Sequence, residues 1–298
     1  MNGKSRIYFD YAATTPVDPA VEKAMKPYFG KVFGNPGSVH LFGQEASGAV
    51  FAARQKIAQA IGAKYDEIIF TGSATEANNL ALRGSLMSLK SLKFKPKIIV
   101  SVIEHESVLE TAKDLEKSGV KVAYIPVDKN GIIKLNILKK ELDENTVLVS
   151  IMYANNEMGA IQPIRQIAEL IREFKKLRIT PACFDMRSIS GRDYELNKKQ
   201  SAIRNPQSNN YPLFHTDAVQ ALQYLNCNVD DLGVDLMTVS AHKIYGPKGI
   251  GALYSKSKIL NPTITGGGQE YGLRSGTENV PYIVGFGRAV ELCEKFKV

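Results

Sequence analysis

The chain has 298 residues, 44% of them hydrophobic, enough for one large core with pieces of a second domain. No window holds about 18 uninterrupted apolar residues, so no membrane span is expected, and Met1-Asn2-Gly3-Lys4-Ser5-Arg6 lacks the apolar stretch of a signal peptide. The net charge of +8 is scattered among acids rather than set on a basic face with aromatics, so nucleic acid is not an expected partner; three irregularly spaced cysteines argue against disulfides or zinc and fit a reducing, cytoplasmic setting.

In chain order, Asp18-Pro19 caps and starts a helix over 18–28. A second helix spans 44–61, with Ala46, Val50, Ala53, Ile57 and Ile61 at helical spacing and Gly62 as its stop. Then come a strand at 67–71, a helix at 75–89, a strand at 97–102 and a helix at 107–117. A strand at 121–125, a turn at 128–131, a helix at 134–142, a strand at 146–151 and a helix at 164–177 follow. Strand-like runs recur at 214–217 and 235–239. This alternation predicts an α/β fold with a mostly parallel sheet covered by helices. The stretch 178–210, rich in Lys, Arg, Ser and Asn, reads as an insertion, either solvated and idle or overhanging the site.

Five polar clusters each follow an apolar run, where open α/β sheets bind ligands. Ser240-Ala241-His242-Lys243 sets one lysine at a strand end beside a hydroxyl, an imidazole and a Gly/Pro turn; a desolvated lysine there can lose its proton and form a Schiff base. Asp217 ends another run, where a carboxylate can pair with a pyridinium nitrogen. Thr71-Gly72-Ser73-Ala74-Thr75-Glu76 opens a helix, with Ser73 and Glu76 at capping-box spacing and an N-terminus suited to an anion. His105 offers a flat ring, and Ala154-Asn155-Asn156-Glu157 offers amides. Singly, Ser73 and Asp217 also read as helix caps and His105 as a loop histidine. The five together point to a pyridoxal phosphate (PLP) site.

Tyr8-Phe9-Asp10-Tyr11-Ala12-Ala13-Thr14-Thr15-Pro16, Phe33-Gly34-Asn35-Pro36-Gly37-Ser38-Val39-His40, the 71–79 segment and the run from Ser240 to Gly249 resemble the cysteine desulfurases, in the NifS/IscS-like branch of the class V aminotransferases. Gly266-Gly267-Gly268-Gln269-Glu270 and Arg274-Ser275-Gly276-Thr277-Glu278-Asn279 match that branch too. The likeness runs from about residue 7 to about 291. It implies a type I PLP fold, a homodimer, and release of sulfur from L-cysteine to leave L-alanine, with an iron-sulfur scaffold or other protein as sulfur acceptor. It also implies a division into an N-terminal segment 1–16 belonging with the small domain, a large domain 17–258, and the start of an incomplete small domain at 259–298.

By that resemblance Lys243 holds the cofactor and moves protons, Asp217 pairs with the pyridine nitrogen, and Gln220 meets the phenolic oxygen. His105 stacks on the ring and shares in proton transfer, and Asn155 touches the ring or substrate. Ala74, Thr75, Ser240 and His242 hold the phosphate, and Thr277 reaches the phosphate of a partner subunit. No metal is implied. In the family the nucleophilic cysteine lies on a loop beyond the R-S-G-T segment, and none of Cys183, Cys227 and Cys293 matches it, so the chain is expected to stop short of the sulfur-handling part. A PLP-binding partner that moves no sulfur, and another class V enzyme such as a selenocysteine lyase, are the alternative readings.

Overall fold

The computed structural model describes residues 7–87, 95–179, 211–257 and 259–294. Most of the insertion expected at 178–210 therefore lies outside the described residues, as does Cys183. Seven strands form one sheet: β1 (Ile68–Thr71), β2 (Lys97–Ser101), β3 (Lys121–Ile125), β4 (Thr146–Ser150), β5 (Leu213–Asp217), β6 (Leu236–Ser240) and β7 (Gly251–Ser255). Their order is β1-β7-β6-β5-β4-β2-β3. Only β7 runs against its neighbours β1 and β6; the other pairings are parallel. The expected mostly parallel sheet is the one observed.

Helices cover both faces: α1 (Pro19–Met25), α2 (Leu41–Ala60), α3 (Ala74–Met87), α4 (Glu106–Lys117), α5 (Leu135–Glu141), α6 (Ile164–Ile179), α7 (Val229–Leu232) and α8 (Val280–Glu294). Every residue of β1, β2, β4, β5, β6 and β7 is buried, the signature of strands sandwiched between helical layers. Alternate side chains serve opposite cores. Ile68, Phe70, Val149, Phe214, Met237 and Ala252 pack in one cluster with residues of α1, α2, α6 and α8. Ile69, Ile98, Leu148, Leu213, Leu236 and Leu253 pack in the other with α3 and α4. Each buried Ile, Val, Leu, Met or Phe among them contributes about 1.5–3 kcal/mol.

Local chemistry explains the boundaries. Asp18 accepts from the Ala20 amide and starts α1, and Pro27 turns the end of that helix into a 3-10 segment, Lys26–Phe29. Helix α2 begins three residues earlier than the periodicity predicts, because a ring nitrogen of His40 accepts from the Gly43 amide as the cap. Gly62 ends it at φ 68°, the left-handed conformation expected of a stop. Helix α8 lies close on α2: a Cβ at Gly287 would stand 2.8 Å from Ala53 Cα. No helix among the described residues is long and apolar enough to cross a membrane.

Candidate active site

The C-terminal ends of β1, β2, β4, β5 and β6 converge on a cleft of about 740 Å³, within the usual range for small-molecule sites. Its wall at β1 is the start of α3. Ser73 Oγ accepts from the Glu76 amide at 3.1 Å, as the capping spacing predicts, while Glu76 reaches back to the Gly72 amide rather than to Ser73. The amides of the helix's first turn have no partner within the helix, and Ala74 and Thr75 line the cleft there. Gly251 on β7 backs this turn so closely that a Cβ would lie 2.7 Å from the Ser73 carbonyl carbon. The turn is thus a snug, electropositive cradle for an anion.

The floor is Asp217, at the end of β5 and buried. Its carboxylate accepts from Asn78 Nδ2 at 2.8 Å and from the Val219 amide at 3.0 Å. Burial raises its pKa, and those two donors, with the charges of His105 and Lys243, pull the other way. His105 caps α4, with Nδ1 accepting from the Ser107 amide at 3.1 Å, and its exposed ring lines the cleft.

Lys243 closes the opposite side, on the 3-10 turn Ala241–Lys243 that follows β6. Its ammonium donates to the carbonyls of Ala12 and Ala13. Desolvation lowers its pKa, against the pull of Asp10 and Asp217. Burial beside His242 is what lowers it. The pKa of His242 is itself pushed down to about 4, by burial first and then by Lys243 and Lys248, so at neutral pH it is uncharged.

Comparisons with known proteins place the fold in a family. The family model for the aminotransferase class-V family covers residues 7–183 and 197–298. The chain belongs to this family. Its similarity to a cysteine desulfurase IscS of Dictyoglomus turgidum is 46% identity over 97% of the chain and 64% of that protein. A mitosomal cysteine desulfurase of Encephalitozoon cuniculi is 43% identical over 98% of the chain and 60% of its own length. The chain therefore spans less than two thirds of these curated relatives. Among solved structures, a NifS-like protein superposes with a TM-score of 0.82 at 40% identity, covering 97% of this chain and 70% of that one. A structure described as SspA in complex with cysteine gives 0.81 at 39%, covering 96% and 72%.

Of the residues singled out from the sequence of this class-V chain, Ala74, Thr75, His105, Asp217, Gln220, Ser240, His242 and Lys243 line the one cleft. Asn155 does not. Its amide is taken up by the Ile103 carbonyl and by the Glu157 and Met158 amides, and Asn156 lines the cleft instead. Thr277 stands in a separate hollow of about 240 Å³ with Gly72 and Arg274. Cys227 and Cys293 are buried in the core, away from the cleft.

Residues not assigned a role from the sequence also build the site. Gln220 Nε2 donates to the Ala12 carbonyl at 2.9 Å, and Thr15 is tied to the His242 carbonyl, so residues 12–15 lie across the lysine. Glu104, beneath His105, is buried, with Oε1 accepting from Ser101 Oγ at 2.6 Å and from the Met152 amide at 2.8 Å. Burial, far more than the nearby Asp217 charge, lifts its pKa from 4.5 to about 8. A raised folded-state pKa means that the folded chain binds the extra proton between these values. Stability therefore falls as pH rises through that window, by at most about 1.4 kcal/mol per unit. His215, neutral and buried between Ser150 and Thr238 with its pKa lowered to about 3, acts oppositely: its penalty grows as pH falls below 6.5. Urea unfolding of Glu104→Gln and wild type at about pH 5 and about pH 8 isolates the first effect, since His215 is common to both. The wild type is expected to lose more stability between the two than Glu104→Gln does, and equal losses would contradict the assignment.

Proposed function

We propose that this chain is the cofactor-binding part of a PLP-dependent cysteine desulfurase acting on L-cysteine. The observation that supports it best is the convergence of Lys243, Asp217, His105 and the α3 amides on one cleft. That donor set suits the cofactor: an anion cradle at one end, a buried carboxylate on the floor and a desolvated amine opposite. Lys243 is the attachment point, Asp217 pairs with the ring nitrogen and Gln220 with the phenolic oxygen. Ala74, Thr75, Ser240 and His242 hold the phosphate. When bound, PLP supplies an electron sink for negative charge developing at the substrate's α-carbon. Lys243, once displaced, takes and returns protons at that carbon, and His105 stacks on the ring from the cleft wall. Burial keeps His242 neutral, so its ring can donate a hydrogen bond to phosphate as an uncharged group.

In this reading residues 17–258 form the large domain, 259–298 begin a smaller one, and Thr277 completes the site of a second copy in a homodimer. The sulfur leaves to an acceptor protein such as an iron-sulfur scaffold, in a cytoplasmic setting. The buried positions of Cys227 and Cys293 favour a second reading, a PLP-binding partner that moves no sulfur.

Titrating the chain with PLP and recording absorbance above the protein band, then adding L-cysteine with excess dithiothreitol as the sulfur-accepting thiol and measuring alanine, separates the readings. A stoichiometric new band and alanine formation are expected. No band overturns both readings, and a band without alanine leaves the binding partner. Sedimentation of the loaded chain is expected to report a dimer; a monomer that binds PLP fully would contradict the role of Thr277.

A further inference from the structure

His105 was read as a ring that stacks and moves protons, but which of its nitrogens faces the chemistry was left open. Its Nδ1 accepts from the backbone amide of Ser107 at 3.1 Å. A backbone N–H can only donate, so a neutral ring with that bond carries its own proton on Nε2. The side chain of Ser107 adds to this, with Oγ 2.9 Å from the same Nδ1.

The direction of the second bond follows from a third residue. Asn78, buried on α3, places Nδ2 2.8 Å from Ser107 Oγ and 2.8 Å from Asp217 Oδ2. An amide nitrogen has two hydrogens, one for each. The opposite amide orientation would bury an NH₂ group without an acceptor and would require a proton on Asp217. The Ser107 hydroxyl therefore accepts from Asn78 and turns its own hydrogen to Nδ1. Two donors then meet one ring nitrogen, and the chain of bonds runs from Asp217 through Asn78 and Ser107 to His105.

We propose that Asn78 and Ser107 are positioning residues that hold His105 in the Nε2–H form, so that its neutral ring turns a hydrogen-bond donor to the cleft. The same two side chains join the floor carboxylate to the wall histidine in one network, so a change at either is felt at both ends. The proposal deepens the reading of the cleft given above, and its ring chemistry can be tested without the cofactor.

The test is ¹⁵N NMR of the histidine-labelled chain without PLP, at alkaline pH, with His105→Gln used to assign its signals. The wild type is expected to show a pyridine-type Nδ1 and a pyrrole-type Nε2. A pyrrole-type Nδ1, or two averaged shifts, in the folded wild type overturns the proposal with no variant needed. Ser107→Ala, which keeps the backbone donor and removes the hydroxyl, is expected to move both shifts towards averaged values. Ser107→Thr is expected to restore them; unchanged shifts in Ser107→Ala would remove Ser107's hydroxyl from the role. In the loaded chain, Ser107→Ala is expected to lower kcat for L-cysteine with KM little changed. A chain that shows the tautomer but binds no PLP would overturn the functional reading alone.

Discussion

On the function proposed above, Lys243→Ala is expected to bind PLP without forming a borohydride-reducible adduct and to lose about 10²–10⁴-fold in turnover of L-cysteine, the usual range for one proton-transfer group. Two features of the site set this expectation. The amine is held at the end of β6 on a short turn, in a half-buried position whose desolvation enlarges its neutral, nucleophilic fraction. The anion cradle at α3 belongs to a different strand end and is untouched by the substitution, so affinity for the phosphate should survive. The carbonyls of Ala12 and Ala13 add a condition: they accept from the ammonium form, so Lys243 must leave them to react. Lys248 lines the same cleft and is the natural rival. Peptide mapping after borohydride reduction decides between them. Label at Lys248, or label that persists in Lys243→Ala, would sink the assignment, whereas Lys248→Ala should leave the adduct on Lys243.

Much of this site is legible in the sequence because its parts are local. Each strand is a short apolar run, each is followed within a few residues by its polar group, and parallel connectivity forces those strand ends to one edge of the sheet. The capping pair Ser73 and Glu76 is likewise a matter of spacing along one turn. What the sequence does not reveal is contact between distant segments. Asn78 meets Asp217 across 139 positions, and Lys243 meets Ala12 across 231, and no periodicity encodes either. The start of α2 escaped for a different reason: a histidine seldom caps a helix, so His40 gives no recognisable signal. Asn155 shows the limit of reading a side chain's aim. A loop asparagine at a strand end suits a ligand and suits its own backbone equally well, and here the backbone takes it. Glu104 stood beside His105 in the sequence, yet its neutral state depends on complete burial, which only the packed fold creates.

Arg54→Ala is expected to lower the unfolding free energy by about 3–5 kcal/mol, the cost of stranding a buried charge. Arg54 on α2 and Glu270 are both buried and form a two-pronged pair, at 2.7 and 2.8 Å. Burial disfavours the guanidinium's charge, but the carboxylate more than offsets this and leaves the Arg54 pKa above its ordinary value. Glu270 also accepts from the Phe70 amide of β1 at 2.8 Å, and Arg54 lies over the Phe70 and Tyr271 rings. The pair thus fastens three separate pieces of chain, α2, β1 and the segment leading to Thr277. That segment needs fastening, since Glu270 and Tyr271 both adopt positive φ, 49° and 60°, without being glycine. Arg274 continues the attachment by pairing with Glu76, whose other oxygen accepts from the Gly72 amide beside the anion cradle. Removing Arg54 should therefore loosen the approach to Thr277 and the base of the cradle together. The double substitution Arg54→Met with Glu270→Gln leaves no stranded charge and should recover a good part of the loss. Urea unfolding of the three chains at one pH measures this directly. A loss of under about 1 kcal/mol for Arg54→Ala, the level of an exposed ion pair, would show that the pair is not sealed from water.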